Sequence, residues 1–296
     1  MKNIIVMSGD IGSGKSSVAS SLKQLTHFDV IGTGAIQRAI ASKRGLTTLE
    51  LNQFSQTDRS IDDEIDSYVI ELGKTQDNLI LDSRLAWHFI PTAFKVFLSV
   101  DPIVGANRVF NASRNDESNP SLDVTLQNNF KRQTIEDQRF NELYKIQFRR
   151  YGNYDLIIDT SYTSPDVIAK KIKECFDAWR QCHHFSQLWV APKKLLPTQS
   201  IQELSIDNTD QESKEVNVFV CHGFIYIKDG HQQTMAAKKA GVDLMPANIL
   251  TENPETELSP GLTAKQLANN VSIAMLYKWE EALNFEYNIY PEKFPA

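Results

Sequence analysis

The chain has 296 residues, of which 41% are hydrophobic and 23% charged, and its net charge is −6 at pH 7. This length suffices for two domains of ordinary size, while the acidic balance does not favour a broad surface for nucleic acid or anionic membranes. The three cysteines form no C-x-x-C pair, and no apolar stretch has the length of a signal peptide or a membrane span. We therefore expect a soluble cytoplasmic protein that does not bind membranes.

Short apolar runs alternate with helical patterns in the first part of the chain. Five runs rich in branched residues predict buried strands, at 3–8, 28–32, 78–82, 94–100 and 154–159. Helical patterns lie at 15–25 and 34–45, and a closing helix is predicted at 164–179, with Ser164 as its N-cap and Pro165 in first position. Strands that alternate with helices predict an α/β domain with a parallel sheet covered on both faces.

The sequence changes character after about residue 185. A polar stretch precedes two β-rich runs joined at His222-Gly223, which predict a hairpin. The patterns that follow predict a helix, a strand and a long helix, at 231–241, 242–250 and 263–284. We therefore place a smaller α+β domain at 186–296, after a first domain at 1–178.

A glycine-rich loop follows the first predicted strand. Gly9, Gly14, Lys15 and Ser16 fit the pattern G-x-x-x-x-G-K-[ST], with a strand before it and a helix after it. Such a loop points backbone N–H groups at phosphate oxygens, while its lysine reaches the β- and γ-phosphates and its serine hydroxyl binds Mg²⁺. The predicted nucleotide-binding residues are Gly9, Asp10, Ile11, Gly12, Ser13, Gly14, Lys15, Ser16 and Ser17, with Ser16 as the metal ligand. The loop therefore predicts a site for a nucleoside triphosphate.

Two strand ends offer residues for an acceptor. One strand ends at Thr33-Gly34, with Arg38 one turn into the next helix; another delivers Asp82 and Arg84. Ligands bind at the carboxyl ends of strands in open α/β sheets. There Asp82 can orient Mg²⁺-bound water or the attacking phosphate, and either arginine can clamp an acceptor phosphate. A solvated helical arginine at 38 and a helix cap at Asp82 are the alternatives.

Four further arginines follow the fourth predicted strand: Arg108, Arg114, Arg132 and Arg139. Arg132 and Arg139 are seven residues apart, so they share one face of a helix. Arginines on a mobile flap can close over a phosphoryl group, neutralise its charge and exclude water. The alternative is an exposed charged helix in which Glu136 and Asp137 pair with neighbouring bases.

The order of these motifs resembles the cytidylate kinase-like group of nucleoside monophosphate kinases over residues 1–175. The motifs after the loop are GTGAIQR, RGLTTLELNQFSQTDRSIDDEID, LDSRLAW, FKVFLSVDPIVGANRV, RQTIEDQRF and YDLIIDTSYTSPDVI. The resemblance implies a P-loop NTPase fold with a five-stranded parallel sheet, ATP with Mg²⁺ on the loop, and CMP or dCMP under a small helical insert.

The same resemblance assigns roles to individual residues. Lys15 and Ser16 match the triphosphate and Mg²⁺ contacts, and Arg38 and Arg84 match the arginines that bind the acceptor phosphate. Asp82 matches the acidic residue of the family, although Ser83 replaces the glycine that usually follows it. The arginines that match the lid positions are Arg108, Arg114, Arg132 and Arg139.

The segment IKDGHQQTMAAKKAGVDLMPANI resembles the ParB/sulfiredoxin-like fold. In some relatives its loop grips a nucleotide phosphate through a glycine-His-x-Arg type motif. Here Gln233 stands where relatives usually have arginine, which removes the charged, bidentate contact. His231 is interpreted as a packed or capping residue.

Three functions are compatible with these patterns. The first is ATP-dependent phosphoryl transfer to a nucleoside monophosphate, which gives ADP and a nucleoside diphosphate. The second is an ATP-gated binding or regulatory protein whose ParB-like domain binds nucleic acid or a protein partner. The third is a second domain that itself resembles free-serine kinases, a reading weakened by Gln233. The arginines at the predicted acceptor site favour transfer.

Overall fold

The computed structural model describes residues 2–46, 59–112, 121–206 and 215–291. The chain divides into two compact units. The first comprises Met1–Thr160 and Ser164–Phe185, and the second Ser161–Thr163 and Ser186–Ala296. In the described ranges, no helix is both long and apolar enough to cross a membrane.

A parallel sheet forms the centre of the first unit. Its strands are β1 (Ile4–Gly9), β2 (Asp29–Gly32), β3 (Leu79–Asp82), β4 (Phe94–Ser99) and β5 (Leu156–Asp159), in the spatial order β2-β3-β1-β4-β5. Every residue of β1 and of β5 is buried, as expected for strands covered on both faces. All five strands were predicted from apolar runs, and the structure confirms them.

Seven helices of the described part of the first unit connect and cover these strands. They are α1 (Lys15–Thr26), α2 (Thr33–Arg44), α3 (Ser60–Thr75), α4 (Ala86–Phe89), α5 (Pro102–Asn111), α6 (Leu122–Tyr144) and α7 (Pro165–Arg180). The predicted cap of the closing helix is present, because the Ser164 hydroxyl accepts the backbone N–H of Val167 at 3.4 Å.

The strand register brings the predicted site residues to one edge of the sheet. Asp82 at the end of β3 lies beside Met7 of β1 and beside Gly32 of β2. Gly9, where β1 ends, lies beside Leu98 of β4. Because the strands are parallel, their carboxyl ends meet at this edge, so the glycine loop and the residues after β2 and β3 face the same space.

The glycine loop packs closely against α5. Gly12 has φ of 79°, and a Cβ on this residue would lie 2.3 Å from the carbonyl oxygen of Gly105. The loop thus requires glycine at position 12 for two reasons, a left-handed backbone and a close approach to another backbone.

Five strands of the second unit are hydrogen-bonded in the order β6-β10-β8-β9-β7. Its strands are β6 (Leu188–Val190), β7 (Leu195–Leu196), β8 (Asn217–Cys221), β9 (Phe224–Asp229) and β10 (Met245–Thr251), with a separate hairpin of β11 (Glu257–Ser259) and β12 (Leu262–Thr263). Its helices are α8 (Ile201–Ile206), α9 (His231–Lys239), α10 (Ala264–Asn269) and α11 (Ile273–Leu283). The predicted hairpin at His222-Gly223 is present, since β8 and β9 pair antiparallel.

Two features differ from the sequence-based expectation. The helix expected at 263–284 is two helices, because the Ser272 side chain accepts the backbone N–H of Met275 and starts a new helix. The β-structure is also larger than expected: five strands were predicted in the first domain and three in the second, and short strands such as β6 and β7 were missed because they have too few residues for a periodic pattern.

Substitution of Gly12 by alanine tests the loop packing. Gly14 is the matched control, since its φ of 78° is almost the same and nothing lies within 4 Å of a Cβ there. Both variants lose about 1 kcal/mol to the left-handed backbone, and Gly12→Ala loses about 2 kcal/mol more through overlap with the Gly105 carbonyl. Urea unfolding of the two variants measures the difference, and equal midpoints would contradict the close packing.

Candidate active site

Lys15 begins α1 and folds back over the glycine loop. Its Nζ donates hydrogen bonds to the carbonyl oxygens of Gly9 at 3.1 Å and Asp10 at 3.0 Å. Burial, reinforced by the charge of Arg84, lowers the pKa of Lys15 to about 8. The loop thus holds a desolvated cation whose interaction with an anion is strengthened by the absence of competing water.

Ser16 and Asp82 bring two oxygen ligands together beside Lys15. The Ser16 hydroxyl donates to Asp82 Oδ2 at 3.3 Å, and the Thr33 hydroxyl donates to the Asp82 carbonyl at 3.1 Å. Burial raises the pKa of Asp82, although Lys15 and the Ser16 hydrogen bond oppose the shift. A hydroxyl and a carboxylate are the hard oxygen ligands that Mg²⁺ prefers.

Ser8 holds the turn that carries Arg84, and the sequence analysis did not single it out. Its buried hydroxyl lies 3.2 Å from the carbonyl oxygen of Ser83 and 2.9 Å from that of Arg84. A polar residue at the end of an apolar strand was the available signal. The serine at position 83, where the resemblance implies glycine, is itself buried.

Glu136 of α6 joins two of the predicted arginines. The Arg84 guanidinium forms an ion pair with Glu136, and Arg132 Nε donates to the other carboxylate oxygen at 3.3 Å. Burial lowers the pKa of Arg84, whereas Glu136 opposes that shift. The structure therefore brings Arg84 and Arg132 together through one carboxylate, and Arg84 lies close enough to Lys15 to affect its pKa.

Arg139, on the same helix, contacts the acidic helix α3. Its guanidinium pairs with Asp62, and the Tyr144 hydroxyl donates to Asp66 Oδ2 at 2.7 Å. Burial raises the pKa of Asp66 to about 6. The acidic residues of α3 thus contact side chains of α6.

The other three predicted arginines have different positions. Arg108 on α5 donates from Nη2 to the Thr160 carbonyl at 2.7 Å and from Nη1 to the Gly12 carbonyl at 3.3 Å, so it contacts the back of the loop. Arg38 lies in α2, one turn after Gly34, but its side chain is outside what the structure describes. Arg114 lies outside the described residues.

Known proteins resemble much of this chain. The family model described as an AAA domain matches residues 5–135. The cytidylate kinase of Methanococcoides burtonii is 32% identical over 175 residues, which cover 59% of this chain and 97% of that protein. This chain belongs to the cytidylate kinase family. Its first unit is accordingly a P-loop kinase domain with a nucleotide-binding loop.

Two other known proteins also resemble part of this chain. The S-adenosylmethionine-dependent nucleotide dehydratase of Lacinutrix mariniflava is 33% identical over 175 residues, which cover 59% of this chain and 36% of that protein. Shikimate kinase from Bacteroides thetaiotaomicron is a solved structure with a TM-score of 0.43 at 16% identity, over 62% of this chain and 98% of that chain.

The sequence analysis missed Arg149, which contacts the nucleotide-binding loop. Its guanidinium pairs with Asp10 of the nucleotide-binding loop, and its Nε donates to Asp137 Oδ2 of α6 at 2.9 Å. It lies between the buried Phe148 and the exposed Arg150, in the segment FRRYG. Nothing in that pattern distinguishes it from its exposed neighbour Arg150.

In the second unit, His231 is buried at the start of α9. The backbone N–H of Thr198 donates to His231 Nε2 at 3.1 Å, and the imidazole lies 6.3 Å from the Trp279 ring. Nε2 is therefore an acceptor, which places the ring proton of neutral His231 on Nδ1. These contacts are those of a packed residue.

The pKa of Lys15 predicts how nucleotide affinity depends on pH. Below about pH 8 the amine is protonated and attracts a triphosphate; above that pH the free protein loses the proton and the attraction with it. Because binding favours the protonated form, we expect the dissociation constant of a nucleoside triphosphate to rise by up to about tenfold per pH unit above pH 8.

Lys15→Arg is the control for this prediction, since a guanidinium stays charged throughout. Calorimetric titrations between pH 6.5 and 9.5 would give both profiles. Parallel profiles for the wild type and Lys15→Arg would contradict the assignment of the pH dependence to Lys15.

Proposed function

We propose that the protein transfers the γ-phosphoryl group of ATP to a nucleoside monophosphate, giving ADP and a nucleoside diphosphate, with a CMP- or dCMP-like acceptor favoured. The observation that carries the proposal is the convergence of Lys15, Asp82 and Arg84 at one edge of the sheet. A protein that binds one nucleotide as a switch needs the loop and its lysine, whereas Arg84 supplies a second cation for a second phosphate. The cytidylate kinase relatives support the choice of acceptor.

The loop and Ser16 form the proposed donor side. Backbone N–H groups and Lys15 bind the triphosphate, and Ser16 with Asp82 would hold Mg²⁺. In the described part of the chain, no three His, Cys, Asp or Glu side chains are grouped to hold a metal. Mg²⁺ commonly takes one or two protein oxygens and completes its shell with water and phosphate, so these two residues fit it. When bound, it supplies charge neutralisation at the phosphates.

The acceptor side is formed by Arg84 with the α6 arginines. An oxygen of the acceptor phosphate bonds to the γ-phosphorus as the bond to the β–γ bridging oxygen breaks, and ADP leaves with the electron pair. Arg84, Arg132 and Arg139 would exchange their carboxylate partners for phosphate oxygens. These arginines position the two phosphates and neutralise their repulsion, which is most of what such a reaction requires.

For the second unit we propose the ParB/sulfiredoxin-like fold, with α9 beginning at its glycine-histidine turn. Gly230 adopts a φ of 91° immediately before α9, which supports the loop geometry expected there. His231 is engaged by Thr198, and Gln233 supplies no permanent charge. We therefore assign the transfer activity to the first unit.

Incubation with Mg-ATP and a panel of ribo- and deoxyribonucleoside monophosphates tests the proposal. We expect ADP release to depend on the acceptor and to be fastest with CMP or dCMP. Lys15→Ala should lower the rate by about 10²–10³-fold, the scale of losing one preorganised contact to the transferred group. Equal ADP release with and without every acceptor would contradict transfer and favour the ATP-gated binding protein.

Arg84→Ala separates the acceptor side from the donor side. We expect the KM of the acceptor to rise about tenfold or more through loss of a charge-assisted contact, while the affinity for ATP changes by less than about threefold. Arg180→Ala is the matched control, because Arg180 is exposed at the end of α7. Steady-state rates at varied acceptor concentration give the KM of the acceptor, and calorimetric titration gives the affinity for ATP. An unchanged acceptor KM in Arg84→Ala would remove Arg84 from the acceptor site.

A further inference from the structure

The nucleotide-binding loop contains a negatively charged residue, Asp10, directly after its first glycine. The loop works by presenting N–H groups and a lysine to a triphosphate, and a carboxylate in the same loop repels that ligand. Asp10 is also fixed in place, because Val100 N–H donates to its Oδ2 at 3.1 Å and its own N–H donates to the Leu98 carbonyl at 2.9 Å. The carboxylate cannot swing away without breaking its hydrogen bond to the Val100 N–H, directly after β4.

Arg149 supplies the opposite charge from a distant part of the chain. Its Nη1 pairs with Asp10 Oδ1, although the two residues are 139 positions apart in sequence. Arg149 is only 18% exposed and Asp10 22%, so solvent screens the pair incompletely. The positive charge of Arg149 also contributes to the lowered pKa of Lys15. The guanidinium therefore belongs to the electrostatic environment of the bound phosphates.

Arg149 also connects the loop to the helix that carries the proposed lid arginines. Its Nε donates to Asp137 of α6 at 2.9 Å, and Asp137 directly follows Glu136, the partner of Arg84 and Arg132. Arg149 Nη2 is buried and has no hydrogen-bond partner among the described residues. The N–H groups of Nη2 thus remain for a further oxygen.

We propose that Arg149 is a positioning residue that neutralises Asp10, so that the loop accepts a triphosphate, and that ties the loop to α6 through Asp137. The inference rests on the proposed function only in taking ATP as the donor. Arg149 acts through Asp10: it removes the repulsion that the carboxylate would otherwise exert on the phosphates. The effect on affinity should therefore grow with the charge of the nucleotide, and removal of the Asp10 charge should make Arg149 dispensable.

A double-mutant cycle on ATP binding tests this role without an acceptor. Titration calorimetry would give the dissociation constants of ATP, ADP and AMP for the wild type, Arg149→Ala, Asp10→Asn and the double variant. Arg149→Gln would be included because it keeps most of the side-chain volume, and thermal unfolding would be recorded for each protein. Arg150→Ala is the matched control, since Arg150 is the exposed neighbour.

We expect Arg149→Ala and Arg149→Gln to weaken ATP binding about tenfold, with smaller losses for ADP and AMP, and the double variant to recover to within about threefold of the wild type. Asp10→Asn alone should bind ATP at least as tightly as the wild type, because it frees the Arg149 charge. A pair with a structural role alone would instead make Asp10→Asn weaken binding and would affect all three nucleotides equally.

Either of two results would overturn the proposal: wild-type ATP affinity in both Arg149 variants, or a double variant as weak as Arg149→Ala. Neither depends on the acceptor. If the cycle behaves as expected and no acceptor supports ADP release, the proposed transfer fails while the role of Arg149 stands. If transfer is observed and the cycle shows no coupling, the proposed transfer stands and the role of Arg149 fails.

Discussion

The burial of positive charge at the carboxyl edge of the parallel sheet is the constraint on which the rest of the first unit depends. The Lys15 ammonium and the Arg84 guanidinium are both desolvated there and repel each other. A buried cation costs several kcal/mol unless oxygen atoms surround it. Loop carbonyls surround Lys15, and Glu136 pairs with Arg84. The curled loop and the docked helix α6 therefore satisfy the same electrostatic demand.

This arrangement suits the proposed reaction, whose substrates would bring the negative charge. The α6 arginines are held by carboxylates on α6 itself and on α3. A phosphate offers more charge and more acceptor oxygens than a carboxylate, so it can take over these partners when it binds. The arginines are thus ordered before the substrate arrives, which reduces the entropy lost on binding. Because Asp137 and Glu136 are adjacent on one helix, the loop and the proposed acceptor arginines are linked through α6.

The sequence predicted the local features of the fold and missed most long-range pairings. Apolar runs identified all five strands of the parallel sheet, and the G-x-x-x-x-G-K-[ST] pattern identified Lys15 and Ser16, because each of these signals lies within a short segment. The position of Asp82 followed from its place at a strand end. The partners of Arg84 and Asp10 could not be predicted, since they lie 52 and 139 residues away and have side chains that are common on surfaces.

In the second unit, the sequence likewise predicted some features and missed others. Its hairpin was visible in the sequence, because two β-rich runs flank a glycine turn. The break between α10 and α11 was missed, although Ser272 is a standard capping residue. The short strands β6 and β7 gain their stability from pairing and burial, and a few residues cannot display that as a pattern.

The fate of the γ-phosphoryl group tests the central claim most directly. ATP labelled with ³²P at its γ-phosphate would be incubated with Mg²⁺, the protein and unlabelled CMP or dCMP, and the products would be separated by chromatography. The account predicts label in the β-phosphate of the nucleoside diphosphate, in step with the formation of ADP. Label recovered as inorganic phosphate, with none in a diphosphate product, would contradict it.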